Sequence, residues 1–266
     1  MSNMAPNAGE LLRQWRQRRR LSQLALASEA DISQRHLSFL ESGRSRPSRD
    51  MVMHLGERLE IPLRERNLIL TAAGHAPHYP HRGLDAPELS GARRVVEDVL
   101  HGHLPHPALA VDRHWTLISA NASAQALMAN AAPHLLEGDI NVLRLSLHPE
   151  GLAPRILNLP EWRSHLLTRL DHEIRQSADA KLAALRDEIA AFPFQASTAP
   201  ARSDPAREGR IAVPLRLKSD AGPLTFLSTT TVFGTATDVT LSEVTIEAFF
   251  PADERTAKAM ADRPGG

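Results

Sequence analysis

Between Glu10 and Gly74 the sequence is cut at short intervals by residues that start and stop helices, and this punctuation restricts the region to a bundle of short helices. Ser22, Ser33 and Ser48 each precede a segment with helical apolar spacing, Pro62 opens another, and Gly43 and Gly74 close two of them. The predicted helices run from about Glu10 to Arg19, from Gln23 to Ala30, from Gln34 to Ser42, onward from Ser48, and from Pro62 to Gly74. Their inward stripes are Leu11, Leu12 and Trp15, then Leu24 and Ala27 or Leu26, then Leu37 and Leu40, then Met51, Leu55 and Leu59. Asp31 stands in the tight turn between the second and third, a place that Asp tolerates because it visits left-handed backbone more readily than most residues.

Charge separates this region from the rest. Residues 1–80 carry 12 arginines, no lysine and 8 acidic residues; the remainder carries 19 basic and 23 acidic, so the formal net charge of zero conceals a basic front and a mildly acidic back. The 266 residues allow one or two domains. The complete lack of cysteine excludes disulfide scaffolds, Cys-ligated zinc, iron–sulfur clusters and thiol catalysis. No run approaches the roughly 18 apolar residues of a membrane span. The polar start, Met1 to Gly9, does not have the form of a signal peptide, so no membrane partner and a cytoplasmic location are expected. Seven of the 13 histidines fall within 75–114, but Pro105 and Pro107 break any helix that would align His101, His103 and His106, and no metal is expected there. No Gly-x-Ser-x-Gly elbow, phosphate-cradling glycine loop or His-Glu-x-x-His pattern is present, and the chain is not expected to be an enzyme.

Beyond the His/Pro-rich stretch 75–88, a helix is expected from Asp85 or Pro87 to about Leu100, with Leu89, Ala92, Val95, Val96 and Val99 on one side; it either connects domains or pairs with its twin in a dimer. The pattern then changes period. Pro107–Val111 and Trp115–Ala120 read as a hairpin, Asn121 caps an Ala-rich helix to Ala129, and Glu161 to about Ala190 is helical in two pieces broken near Ser177. Residues 195–209 read as a surface loop. Ile211, Val213, Leu215 and Leu217 alternate with polar or small residues, and Pro214 places that strand at an edge or bulge. Pro223–Phe233 and Val239–Phe249 complete a meander, so the fold class is α+β, an all-α front joined to an antiparallel sheet with helices.

Two short helices across a tight turn make a helix-turn-helix arrangement. Leu21-Ser22-Gln23, Leu26-Ala27, Ala30-Asp31-Ile32-Ser33, Leu37-Ser38, Glu41-Ser42-Gly43-Arg44, Pro47-Ser48 and Ala72-Ala73-Gly74 together resemble the xenobiotic-response-element family of helix-turn-helix repressors, over roughly 9–76. That resemblance implies a five-helix, lambda-repressor-like domain over 1–76 that binds double-stranded DNA. Its second motif helix would offer Ser33, Gln34, Arg35 and Ser38 to base edges. Gln23, Arg44 and Arg46 would meet phosphates. Phe39 would touch a thymine methyl or pack on a neighbouring helix, and Arg18-Arg19-Arg20 would be a solvated helix end or a phosphate contact. It also implies a structural ion pair between Arg16 and Glu41.

The back half resembles the PAS-like ligand-binding domain of MmyB-like transcription regulators. The likeness rests on Pro107–Trp115 with Asn121, Asn141–Arg144 with His148-Pro149, Trp162–Arg169, Phe226–Gly234 and Phe249–Ala252. The division implied is a linker and connecting helix over 77–104 and a ligand-binding domain over 105–266. The resemblance implies a cavity between sheet and helices for a small apolar or fatty-acid-like ligand, with no other cofactor. Leu109, Val111, Leu117, Met128, Leu166, Phe226, Val232 and Ile246 are its candidate walls or else plain core. Ser228 and Thr230 would offer hydroxyls to a ligand or to cross-strand neighbours, and Arg169 and Arg144 would meet a carboxylate or form salt bridges. The expected protein is therefore a ligand-responsive, homodimeric DNA-binding regulator. The alternative is a phage-repressor- or antitoxin-like DNA binder whose back half serves only dimerisation or protein contact.

Overall fold

The computed structural model describes residues 7–193, 212–220 and 222–262. The sequence expectations for the first residues, for the 195–209 loop and for Ile211 lie outside them. The chain forms two compact units, one comprising the residues through Gly83 together with Thr235–Ser242, the other Leu84–Gly234 and the chain from Glu243 on.

The first unit contains α1 (Ala8–Arg18), α2 (Gln23–Glu29), α3 (Gln34–Glu41), α4 (Arg49–Arg58) and α5 (Leu63–Ala72). The serine punctuation acts as caps: the Oγ atoms of Ser22, Ser33 and Ser48 accept from the backbone N–H groups of Ala25, His36 and Met51 at 3.0–3.2 Å. Each such bond is worth about 1 kcal/mol. Asp31 has φ +50°, as the turn requires. Gly9 permits α1 to approach α3, because a Cβ there would lie 2.0 Å from the carbonyl oxygen of Leu40. Leu12, Trp15, Leu26, Leu37, Leu40, Leu55, Leu59, Ile69 and Leu70 close the core. Two stripe assignments change. Leu24 points outward while Leu26 and Ala27 are buried, and Val52 rather than Met51 enters the core. In a seven-residue helix one or two positions decide the face, so neighbouring apolar residues are hard to rank by period alone.

The second unit is built on a five-stranded antiparallel sheet in the order β2-β1-β5-β4-β3, formed by β1 (Ala108–Val111), β2 (Leu117–Ala120), β3 (Leu215–Ser219), β4 (Gly222–Val232) and β5 (Thr245–Pro251). β3 is an edge strand that begins immediately after Pro214, as a residue without an N–H demands. β2 starts two residues later than the hairpin reading places it, because Trp115 turns left-handed at φ +66° inside a turn where Asp112 accepts from the N–H groups of His114 and Thr116. β5 starts at Thr245, not at Val239; Val239–Ser242 is a helical turn, α11.

One face of the sheet carries Leu109, Val111, Leu215, Leu217, Leu224 and Phe226, and is covered by α7 (Ala122–Met128), α8 (Val142–Leu147), α9 (Leu159–Ser177), α10 (Ala180–Ala191) and α12 (Glu254–Ala261). The other face carries Ala108, Ala110, Val244 and Ile246 under Val96 and Leu100 of α6 (Ser90–Gly102). The residues placed on one side of this helix divide: Leu89 and Val96 are buried together with Leu100, while Val95 and Val99 are exposed. A strand sandwiched between two helical layers explains why all four residues of β1 are buried.

Around the break between α9 and α10, Asp179 accepts from Arg113, from His114 Nε2 at 2.9 Å and from the Lys181 N–H at 2.8 Å. Burial pushes this carboxyl up, but the donors outweigh it and hold it at about 2. The folded value lies below the ordinary 3.8, so its contribution to stability is complete above the ordinary value and lost as pH falls through about 2. Asp179→Asn should accordingly flatten the acid limb of the stability–pH curve, measured by urea unfolding between pH 5 and pH 2.

Candidate DNA-reading surface and ligand cavity

On α3 the side chains of Ser33, Gln34, Arg35 and His36 are exposed and Ser38 half-buried, while Leu37 and Leu40 anchor the helix from beneath. Phe39 lies under two cations, with the Arg35 and Arg44 guanidinium carbons 5.4 and 5.7 Å from its ring centre. Arg44 and Arg46 follow on an exposed loop. This surface is polar and cationic, and its helix is rigidly seated. Ser33 has a second duty, since its Oγ is the α3 cap.

Other arginines are committed inward. Arg16 binds Glu41 through Nε at 2.6 Å and Nη2 at 2.8 Å, joining α1 to α3. The Gln23 side-chain amide donates one of its two N–H groups to the same carboxylate at 2.8 Å. Of the Arg18–Arg20 triplet, Arg18 and Arg19 lie over Trp15, and Arg19 also donates to the carbonyls of Leu59 and Glu60.

In the second unit a cavity of about 90 Å³ opens between the sheet and α7, α8 and α9. Its wall is apolar over most of its extent, from Leu109, Leu127, Met128, Leu143, Leu166 and Phe249. The polar side chains that reach it are Ser146, Arg169, Ser228 and Glu247, beside the indoles of Trp115 and Trp162. Strand alternation and register bring them together: Leu109 pairs with Glu247 and Ser228 with Phe249 on one face.

Two family models match the chain. A helix-turn-helix model covers residues 12–66, and the model of the MmyB-like transcription regulator ligand-binding domain covers residues 92–262. The chain belongs to the MmyB-like transcription regulators. No curated protein matches it. This MmyB-like chain is thus a DNA-binding transcription regulator with a ligand-binding domain. No described helix is long and apolar enough to cross a membrane.

Within the MmyB-like domain, Leu109, Met128, Leu166, Arg169 and Ser228 line the cavity. Val111 and Phe226 are instead fully enclosed core behind it, and Leu117 is half-buried against Met128 and Leu145. Val232 is 59% exposed at the far end of β4, and Ile246 faces α6 on the opposite side of the sheet. Thr230 is exposed and donates to Glu247 at 2.9 Å. Arg144 is taken by Glu188. The walls supplied by Val142, Leu143 and Leu145 on α8, and the acid Glu247, were not singled out in the sequence. A six-residue helix carries too few turns for a period to register, and a glutamate in a strand ordinarily reads as solvent-facing. His134, His148 and Glu150 also gather, with ligand atoms within 4.8 Å of one another at the surface.

Proposed function

We propose that this regulator reads specific base sequence through α3 as a homodimer and that a small, largely apolar effector in the 90 Å³ cavity controls its DNA affinity. The observation that carries the first part is the outward display of Gln34 and Arg35 on a helix whose opposite face is fully anchored. Gln pairs bidentately with adenine and Arg with guanine, each worth about 1–3 kcal/mol of discrimination. Gln34→Ala or Arg35→Ala should therefore relax preference at one half-site position in a selection from random DNA. A uniform fall in affinity over all sequences would assign these side chains to the phosphates instead. Exposed Val95 and Val99, one turn apart on α6, supply an apolar stripe that suits self-association. Protection of two half-sites about 10 bp apart, or a multiple, is the expected footprint.

Effector control requires that ligand bind two states of the protein unequally. The chain itself supports a route. β4 and β5 form part of the cavity wall through Ser228, Glu247 and Phe249, and the residues between them, Thr235–Ser242, belong to the unit that carries α3. In that unit Asp238 pairs with Arg82 at 3.0 Å, the Val239 N–H donates to Pro80, and the Thr240 hydroxyl donates to the Arg82 carbonyl. Asp238→Ala should reduce the change in DNA affinity that an effector causes, while leaving DNA binding and effector binding individually close to wild type in fluorescence anisotropy and calorimetry. Equal responses in variant and wild type would remove this loop from the route.

A further inference from the structure

The polar end of the cavity has an unusual charge inventory. Among the described side chains lining it Arg169 is the one cation, and its donors are nearly all spent. Nε donates to Glu173 at 3.3 Å, Nη1 to Glu247 Oε2 at 3.2 Å, and Nη2 to Glu247 Oε1 at 2.7 Å and to Thr230 at 3.2 Å. A guanidinium has five N–H groups in a fixed fork, so a single one, on Nη1, is left. The fork that would grip a carboxylate is already closed on Glu247, and one face of the guanidinium is covered by Trp115 at 4.4 Å.

The acceptors are less fully used: Glu247 takes three hydrogen bonds, two from Arg169 and one from Thr230, and Glu173 takes two, where a carboxylate can accept about four. Glu247 is a buried carboxylate on the wall, and Glu173 stands behind it, holding the Trp115 indole N–H at 2.9 Å. Two acids thus face one guanidinium. Burial pushes the Glu173 carboxyl up, and the neighbouring Glu247 adds to that shift. The Ser228 hydroxyl makes no side-chain hydrogen bond to a described residue. Ser146 accepts from the Trp162 indole at 3.1 Å.

We propose that the effector is a small apolar molecule ending in a hydrogen-bond donor, an amine or an alcohol seated against Glu247 and Ser228, and that the site rejects carboxylates. This rests on the reading of the cavity as the effector site. A carboxylate placed here would set a third carboxyl group against one guanidinium and find no fork to receive it, whereas an ammonium would donate to the acceptor sites left on Glu247 and Ser228. The volume limits the apolar part. About 90 Å³ is roughly three water volumes, below the about 150 Å³ that admits benzene, so four-carbon chains are the appropriate probes.

The full-length protein is titrated with n-butylamine, butan-1-ol and butyrate at matched pH and ionic strength, with tryptophan emission as the readout, because Trp115 and Trp162 line the cavity. Xenon is added as a probe without a head group. The expected order is butylamine tightest, butanol next, and butyrate at least tenfold weaker than butylamine. Glu247→Gln removes one acid and loosens the Arg169 fork, and should move the butyrate-to-butylamine ratio at least tenfold toward butyrate. Should the variant not fold, the wild-type order stands as a test by itself. Butyrate binding as tightly as butylamine in the wild type overturns the head-group assignment while leaving the cavity as an effector site. Failure of all four probes, xenon included, overturns the cavity reading and the assignment with it.

Discussion

Glu41→Ala is expected to lower the stability of the DNA-binding unit by about 3–5 kcal/mol, the cost of stripping one partner from a buried ion pair. The Glu41 side chain is 2% exposed and the Arg16 side chain 10%. The carboxylate receives three hydrogen bonds, two from Arg16 and one from Gln23, and Arg16 spends Nη1 on the Leu21 carbonyl at 2.8 Å. Without Glu41 the guanidinium keeps one carbonyl partner and cannot reach water without opening the α1–α3 contact. Urea unfolding of the full-length protein measures the loss, and Arg44→Ala, an exposed loop residue, provides the reference with a change within about 0.5 kcal/mol. A loss below 1 kcal/mol for Glu41→Ala would show that the pair is solvated in practice. Because α3 carries both Glu41 and the residues proposed to read bases, the same variant should weaken DNA binding through disorder of the helix, without altering which bases are preferred.

Leu166→Ala is the second large effect, and it separates cavity wall from ordinary core. Leu166 is 4% exposed and lines the cavity from α9. Truncation should cost the second unit about 2–5 kcal/mol, with the upper part of that range expected where the surroundings do not collapse into the space vacated. The enlarged volume should then favour larger apolar molecules. A ligand that binds only the folded state raises stability by mass action, so benzene should increase the melting temperature of Leu166→Ala more than that of the wild type. Equal shifts in both proteins would show that the wall collapses on truncation, and that the cavity is not a supported space.

Much of the first unit was legible because its information is local. A Ser cap, an apolar pair three or four residues on and a Gly stop act within a single helical turn, and the helices begin where Ser22, Ser33 and Ser48 place them. The Arg16–Glu41 pair was reached through family resemblance, because nothing at a separation of 25 residues marks two charged side chains as partners. The choice of Val52 over Met51, and of Leu26 over Leu24, depended on which neighbour the helix met. In the second unit the strand pattern of Leu215 and Leu217, the Asn121 cap and the break near Ser177 follow from period and capping. The helical turn at Val239–Ser242 was hidden inside what reads as a β-branched run, and the α12 helix behind its Asp253 cap went without assignment.

The sequence by itself determined most of the elements: short capped helices in a basic front, alternating strands behind, and hence an α+β chain with a helix-turn-helix region and a ligand-binding domain. Tertiary structure alone decided which partner each polar side chain met. Alternation places Glu247 on the same sheet face as Leu109, but only the packing of α9 across that face sets Arg169 against it and leaves an apolar space beside the pair. The reason is one of range. Capping and periodicity act over a few residues along the backbone, whereas burial, charge balance and cavity volume are sums over atoms brought together from distant parts of the chain.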